Sequence, residues 1–123
     1  MSRNIGILDC TLRDGGYVNN FDFGKKEIKR IIKKLTNSGT DIIECGFLMN
    51  KPYDENRTIF NSVSLISNFL PSERKGSTIY VGMIALGDIP LEMIEERKSI
   101  AHTIPQITVS FKELIESASS FFT

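Results

Sequence analysis

The sequence predicts an α/β protein built on a parallel β-sheet, in about four strand-then-helix units. Three observations predict it. Short apolar, β-branched runs alternate with segments of helical periodicity, and each helical segment follows a strand instead of clustering elsewhere. The repeat is about 30 residues, the length of a strand with its crossover connection. The chain of 123 residues is 41% apolar and 24% charged, a globular composition with enough chain for one hydrophobic core.

Ile5 to Cys10 is a short apolar run and reads as the first strand, ended by the glycine pair in Arg13-Asp14-Gly15-Gly16. From Gly24 to Ser38, Ile28, Ile31, Ile32 and Leu35 fall at i, i+3, i+4 and i+7, with lysines and Arg30 on the other face. Asn37-Ser38-Gly39 closes that helix. Asp41 to Phe47 is the second strand, followed by a polar loop from Leu48 to Arg57. Ile59, Val63, Ile66 and Leu70 then share helical spacing up to Pro71, although Thr58 to Phe60 can also be extended. Ser77 to Ala85 reads as a third strand buried on both faces. Between Leu86 and Pro105, Leu91 to Ile94 is a candidate short helix. Gln106 to Phe111 is the fourth strand, and Leu114, Ile115, Ala118, Phe121 and Phe122 line one face of a last helix.

Two architectures fit this order: an open doubly wound sheet, or the first half of a (β/α)₈ barrel of about 250 residues. Composition narrows the partners. Fifteen basic and fifteen acidic residues cancel, which leaves no electrostatic footprint for nucleic acid or an anionic membrane surface. No run approaches the roughly 18 apolar residues of a membrane span. The start of the chain has no apolar core of a secretory signal. Cys10 and Cys45 have no CxxC spacing and read as reduced thiols, small buried hydrophobes in a cytoplasmic protein.

In parallel α/β folds the ligand sits at the C-terminal ends of the strands. After the first strand come Asp9, Thr11, Arg13 and Asp14, with Gly15 and Gly16 letting the backbone pass close to a ligand. Glu44 interrupts the apolar second strand. A buried carboxylate needs a cationic or metal partner, and Arg13 at the neighbouring strand end is the nearest one. Charge pattern alone fits a salt-bridge network closing the sheet end equally well. Neither G-x-G-x-x-G nor G-x-x-x-x-G-K-[ST] occurs, so the glycine pair is weak support for an open sheet binding a phosphorylated ligand.

The order of these residues is more specific. Asp9-Cys10-Thr11-Leu12-Arg13-Asp14-Gly15 closely resembles the D-x-T-L-R-D-G signature of the metal-dependent lyase and aldolase superfamily. That superfamily includes hydroxymethylglutaryl-CoA lyase, isopropylmalate synthase and 4-hydroxy-2-oxovalerate aldolase. Ile43-Glu44-Cys45-Gly46-Phe47 resembles its second-strand I-E-x-G-F segment. The resemblance implies a TIM barrel, of which residues 1–123 are the N-terminal half. It implies a divalent cation, Mg²⁺ or Mn²⁺, with Asp14 as a ligand. It also implies substrates of the 2-oxo acid or acyl-CoA type, and carbon–carbon cleavage or formation through a metal-stabilised enolate. Arg13 would stabilise the enolate or a substrate carboxylate, and Glu44 would hold Arg13 or a metal-bound water.

This sequence departs from that pattern in three ways. Tyr17 stands where a histidine or glutamine occurs, and a phenol donates a hydrogen bond but is a weak base near neutral pH. The superfamily completes its metal with a His-x-His pair on a late strand, whereas this chain has one histidine, His102, read as a loop residue. The length is about half of a barrel. The sequence therefore predicts a lyase-type catalytic domain fragment, truncated or from a partial gene, inactive by itself. The alternative is a non-catalytic half-barrel that binds a ligand or self-associates as a homo-oligomer through its open strand edges. Tyr53, Asp54 and Glu55 are read as a solvated loop, and Met83 and Met93 as core filler.

Overall fold

The computed structural model describes residues 5–72, 76–85, 87–90, 92 and 106–109. In these residues five strands pair in parallel: β1 (Leu8–Asp9), β2 (Ile42–Leu48), β3 (Ile59–Phe60), β4 (Ile79–Ile84) and β5 (Gln106–Val109). The order is β1-β2-β4-β5, with β3 also on β2. β4 runs along the whole of β2, from Ile42↔Ile79 to Leu48↔Ile84. The other edge of β2 is therefore shared. β1 occupies its first half at Leu8↔Ile42, and β3 its second half at Phe47↔Ile59. The α/β class and the parallel sheet predicted from sequence are both present.

The first strand is shorter than predicted, two residues instead of the run from Ile5. The Ile7 amide donates to the Asp41 carboxylate at 2.7 Å, so a side chain takes the place of a ladder partner. Ile5, Ile7 and Leu8 are exposed, and Leu8 shares a row with Ile42 and the exposed Ile79.

The first long helix, α1 (Lys25–Asn37), matches its predicted span to one residue at each end. It starts without a side-chain cap of its own, and the Asn56 carboxamide accepts from the Lys25 amide at 3.2 Å instead. At the other end the amides of Gly39 and Thr40 fold back onto the carbonyls of Thr36 and Leu35, closing the last turn. Ile28 and Ile32 are fully buried, and Ile31 and Leu35 pack against the same core. Each fully buried isoleucine contributes about 1.5–3 kcal/mol. Thr36 Oγ1 donates to the Ile32 carbonyl and pairs with the Tyr80 hydroxyl at 2.9 Å, which fixes α1 against β4.

The second helix differs more. Ile59 is not on it: Ile59 and Phe60 are the strand β3, and α2 spans only Val63–Ile66 before one 3₁₀ turn, Ser67–Phe69. Helical spacing of Ile59 with Val63 is outweighed by the amides and carbonyls of β2 that an extended segment satisfies: the Phe47 amide donates to the Thr58 carbonyl, and that of Met49 to Phe60. Leu70 is extended, at ψ 146°, as a residue before proline must be. The predicted helices at Leu91–Ile94 and Leu114–Phe122, together with Met93 and His102, lie outside the described residues apart from Glu92.

Gly46 breaks the alternation of β2. Cys45 and Gly46 together oppose Gly82, while Glu44 pairs with Val81 and Phe47 with Met83. Ile43 and Cys45 point into the core shared with α1, so Glu44 faces the other way. The extra residue then sends Phe47 to the Glu44 face, where it packs with Phe21, Ile59 and Met83. Gly46 has φ +154°, and a Cβ there would lie 2.2 Å from the Thr58 carbonyl oxygen. A residue with a side chain cannot stand at this bulge while β3 stays paired.

Candidate functional site

The segment leaving β1 is tied down by its own backbone. The Asp9 carboxylate accepts from the Thr11 amide and hydroxyl at 3.0 and 3.1 Å. The Cys10 carbonyl accepts from the amides of Arg13, Asp14 and Gly15, which turns the chain into a 3₁₀ helix, Asp14–Val18. Leu12 is fully buried, and its carbonyl accepts from Thr58 Oγ1 at 2.7 Å. Arg13 is thus carried by an anchored residue at the C-terminal ends of the parallel strands.

Arg13 and Glu44 meet as the sequence suggested. Arg13 Nε donates to Glu44 Oε2 at 2.5 Å, and Glu44 is only 4% exposed. Arg13 Nη1 lies 3.5 Å from Asp14 Oδ1. The guanidinium carbon sits 5.9 Å from the centroid of the Phe47 ring, within cation–π range. Burial disfavours the Arg13 charge, but the hydrogen bond and charge of Glu44, with Asp14 behind them, outweigh it and hold its pKa above the ordinary value. The guanidinium is held at Nε by Glu44 and at Nη1 by Asp14, and its Nη2 makes no hydrogen bond among the described residues.

Tyr17 is 67% exposed and stands edge-on to Phe21 and Phe47, with centroids 5.1 and 6.1 Å away. Phe47 therefore links Tyr17 to Arg13. Gly16 makes this packing possible, since a Cβ there would meet the Phe21 ring at 2.1 Å. All four sequence-predicted site residues, Arg13, Asp14, Tyr17 and Glu44, fall in this one region.

Asp14 suits one position of a divalent-cation site: it is an exposed carboxylate offering hard oxygen donors. No group of three or more His, Cys, Asp or Glu side chains able to hold a metal occurs among the described residues. A complete metal centre does not fit them. Among the same residues no helix is long and apolar enough to cross a membrane.

Tyr53 departs from the solvated-loop expectation. Its ring stacks on Phe60 at 6.0 Å and is partly buried, and burial with Glu55 and Asp54 nearby raises its pKa. Both cysteines are free thiols, Cys45 buried and Cys10 only half so. Burial pushes the Cys45 thiol from 9.0 up to about 12. The unfolded chain releases that proton first, so stability is full below about pH 9 and falls as pH rises toward 12. Relative to Cys45→Ala, the parent is expected to lose about 1 kcal/mol between pH 8 and 10 in urea denaturation.

Phe47, Thr58 and Phe21 support the site without having been legible as its members. Gly46 within an apolar strand is the local signal for a bulge, and so for Phe47 turning toward Arg13. Thr58 reaches Leu12 across 46 residues, a pairing that no local pattern encodes.

Comparison with known proteins adds an independent observation. The chain is 38% identical over 79 residues to the 2-isopropylmalate synthase of Ruminiclostridium cellulolyticum, which is 64% of this chain and 14% of that protein. It is 38% identical over 74 residues to that of Proteus mirabilis, 60% of this chain and 13% of the relative. Over 47 residues it is 47% identical to that of Staphylococcus saprophyticus, 38% of this chain and 9% of the relative. No family model matches the chain. No solved structure matches it either. The chain thus matches only 14% or less of the length of these relatives. Over that part it is similar to 2-isopropylmalate synthases.

Proposed function

We propose that this chain carries the anion-binding part of a carbon–carbon lyase or aldolase-type site, which takes 2-oxo acid or acyl-CoA substrates through an enolate. One observation carries the reading: Arg13 is locked by the buried Glu44 at the C-terminal ends of parallel strands, with Nη2 left for a ligand. The oriented Nη2 can donate a charge-assisted hydrogen bond to one oxygen of a substrate carboxylate or to the oxygen of an enolate. Because Glu44, Asp14 and Phe47 already orient the guanidinium, little ordering remains to oppose ligand binding. Tyr17 supplies an exposed hydroxyl that can donate to a second substrate oxygen. The resemblance to the lyase and aldolase superfamily and the similarity to 2-isopropylmalate synthases both support the substrate class.

The same reading makes residues 1–123 the N-terminal half of a (β/α)₈ barrel. The sheet path β1-β2-β4-β5 supports it, because apart from the two-residue β3 beside β1 these strands follow in chain order without the reversal at which a doubly wound sheet changes direction. Asp14 then serves as one ligand of a Mg²⁺ or Mn²⁺ ion whose remaining ligands lie outside the described residues. With one histidine in the sequence, the 123 residues are expected to bind a 2-oxo acid without turning it over. Titration of pyruvate followed by NMR tests the reading: saturable shifts are expected, with affinity about tenfold weaker in Arg13→Lys, whose ammonium lacks the rigid plane that holds Glu44 and a ligand together. Binding that ignores Arg13→Lys, or turnover of a 4-hydroxy-2-oxo acid by this chain alone, would overturn it.

A further inference from the structure

The loop between Gly16 and Asp22 holds two successive residues in the left-handed region: Asn20 at φ 56° and Phe21 at φ 61°. Asparagine tolerates that conformation, but a phenylalanine adopts it only where its surroundings impose it. Those surroundings are visible here. The Phe21 amide donates to the Gly16 carbonyl at 2.7 Å, and the Phe21 carbonyl accepts from the Thr58 amide at 2.9 Å. Arg57, 37 residues along the chain, closes on the loop with both arms: Nε donates to the Asn20 carbonyl at 3.0 Å and Nη2 to Asn20 Oδ1 at 3.2 Å. Asp22 and Arg57 also form an antiparallel bridge. The Phe21 ring, held in this way, is buried against Phe47 at 5.6 Å and supports Tyr17 from below.

We propose that Arg57 is a positioning residue whose fork holds Asn20 and Phe21 left-handed, and so fixes Tyr17 and Phe47 beside the Arg13 guanidinium. The Arg57 hydrogen bonds go to Asn20, so it acts on Arg13 through the loop. Each link is a contact given above: Arg57 to Asn20, the Phe21 ring to Phe47 and Tyr17, and Phe47 to Arg13. Substrate geometry set by Tyr17 rests on the 2-oxo acid reading of the site, whereas the clamp itself does not.

Two measurements on the full chain separate these layers: the ring resonances of Tyr17, and titration with pyruvate. Arg57→Ala is expected to move the Tyr17 ring resonances toward those of a free tyrosine and to raise the half-saturating pyruvate concentration roughly tenfold. Arg57→Lys restores neither in full, because an ammonium cannot span the carbonyl and the carboxamide together. Unchanged Tyr17 resonances in Arg57→Ala would overturn the proposal, and so would full recovery of both measures in Arg57→Lys. A parent chain that binds no pyruvate would refute the substrate reading, while the ring resonances still decide the clamp.

Discussion

Arg13→Ala is expected to destabilise the chain by about 3–5 kcal/mol, far more than loss of a surface ion pair would. The reason is its partner. Glu44 is 4% exposed and has Arg13 Nε as its ion-pair partner at 2.5 Å, so removing the guanidinium leaves a carboxylate in an apolar setting among strands. The reverse change is milder: in Glu44→Leu the Arg13 side chain, 22% exposed, can turn its charge toward water and Asp14, at a cost of about 1–2 kcal/mol. The double variant Arg13→Ala/Glu44→Leu is therefore expected to be more stable than Arg13→Ala alone. Urea denaturation of the four proteins gives the coupling directly. Pyruvate binding sorts the same proteins differently: it is lost in Arg13→Ala and in the double variant, and only weakened in Glu44→Leu. A double variant as unstable as the sum of the singles would mean that Glu44 has another partner, and the locked-arginine account would fail.

The parts of this arrangement that were legible in sequence share one property: each is written in a local pattern. The helix Lys25–Asn37 follows from four apolar residues at helical spacing and the Asn37-Ser38-Gly39 stop. The meeting of Arg13 with Glu44 follows because an acid within an apolar strand requires a cation and adjacent parallel strands bring their ends together. What was not legible depends on competition between distant segments. Ile59 has helical spacing with Val63 and nonetheless joins the sheet, since β1 is too short to satisfy the second half of β2 and the segment from Thr58 to Phe60 takes that edge. The left-handed Asn20–Phe21 pair is equally hidden, because its cause, Arg57, lies 37 residues away. Tyr53 is half-buried for the same reason: its stacking partner Phe60 belongs to β3.

Gly46→Ala is expected to cost about 3 kcal/mol and to weaken pyruvate binding with it, whereas Gly82→Ala, on the neighbouring strand, stays within about 1 kcal/mol of the parent. Both glycines lie in the sheet and face each other across β2 and β4, so composition and burial do not distinguish them. What a Cβ would meet does. At Gly82 the nearest atoms are the methyl ends of Ile66 and Leu48 at 3.0 Å, which can give by a rotamer adjustment. At Gly46 the nearest is the Thr58 carbonyl oxygen at 2.2 Å, backbone that cannot yield without pulling β3 away from β2. The left-handed φ of +154° adds strain for any residue with a side chain. Displacing Thr58 also removes its hydroxyl from the Leu12 carbonyl, and Leu12 is the anchor next to Arg13. Flattening the bulge would further return Phe47 toward the helix face, away from the guanidinium it underlies. Stability and anion binding should therefore fall together in Gly46→Ala and in neither measure in Gly82→Ala. Equal losses in the two variants would show that crowding in the sheet, and not the bulge, sets the position of Arg13.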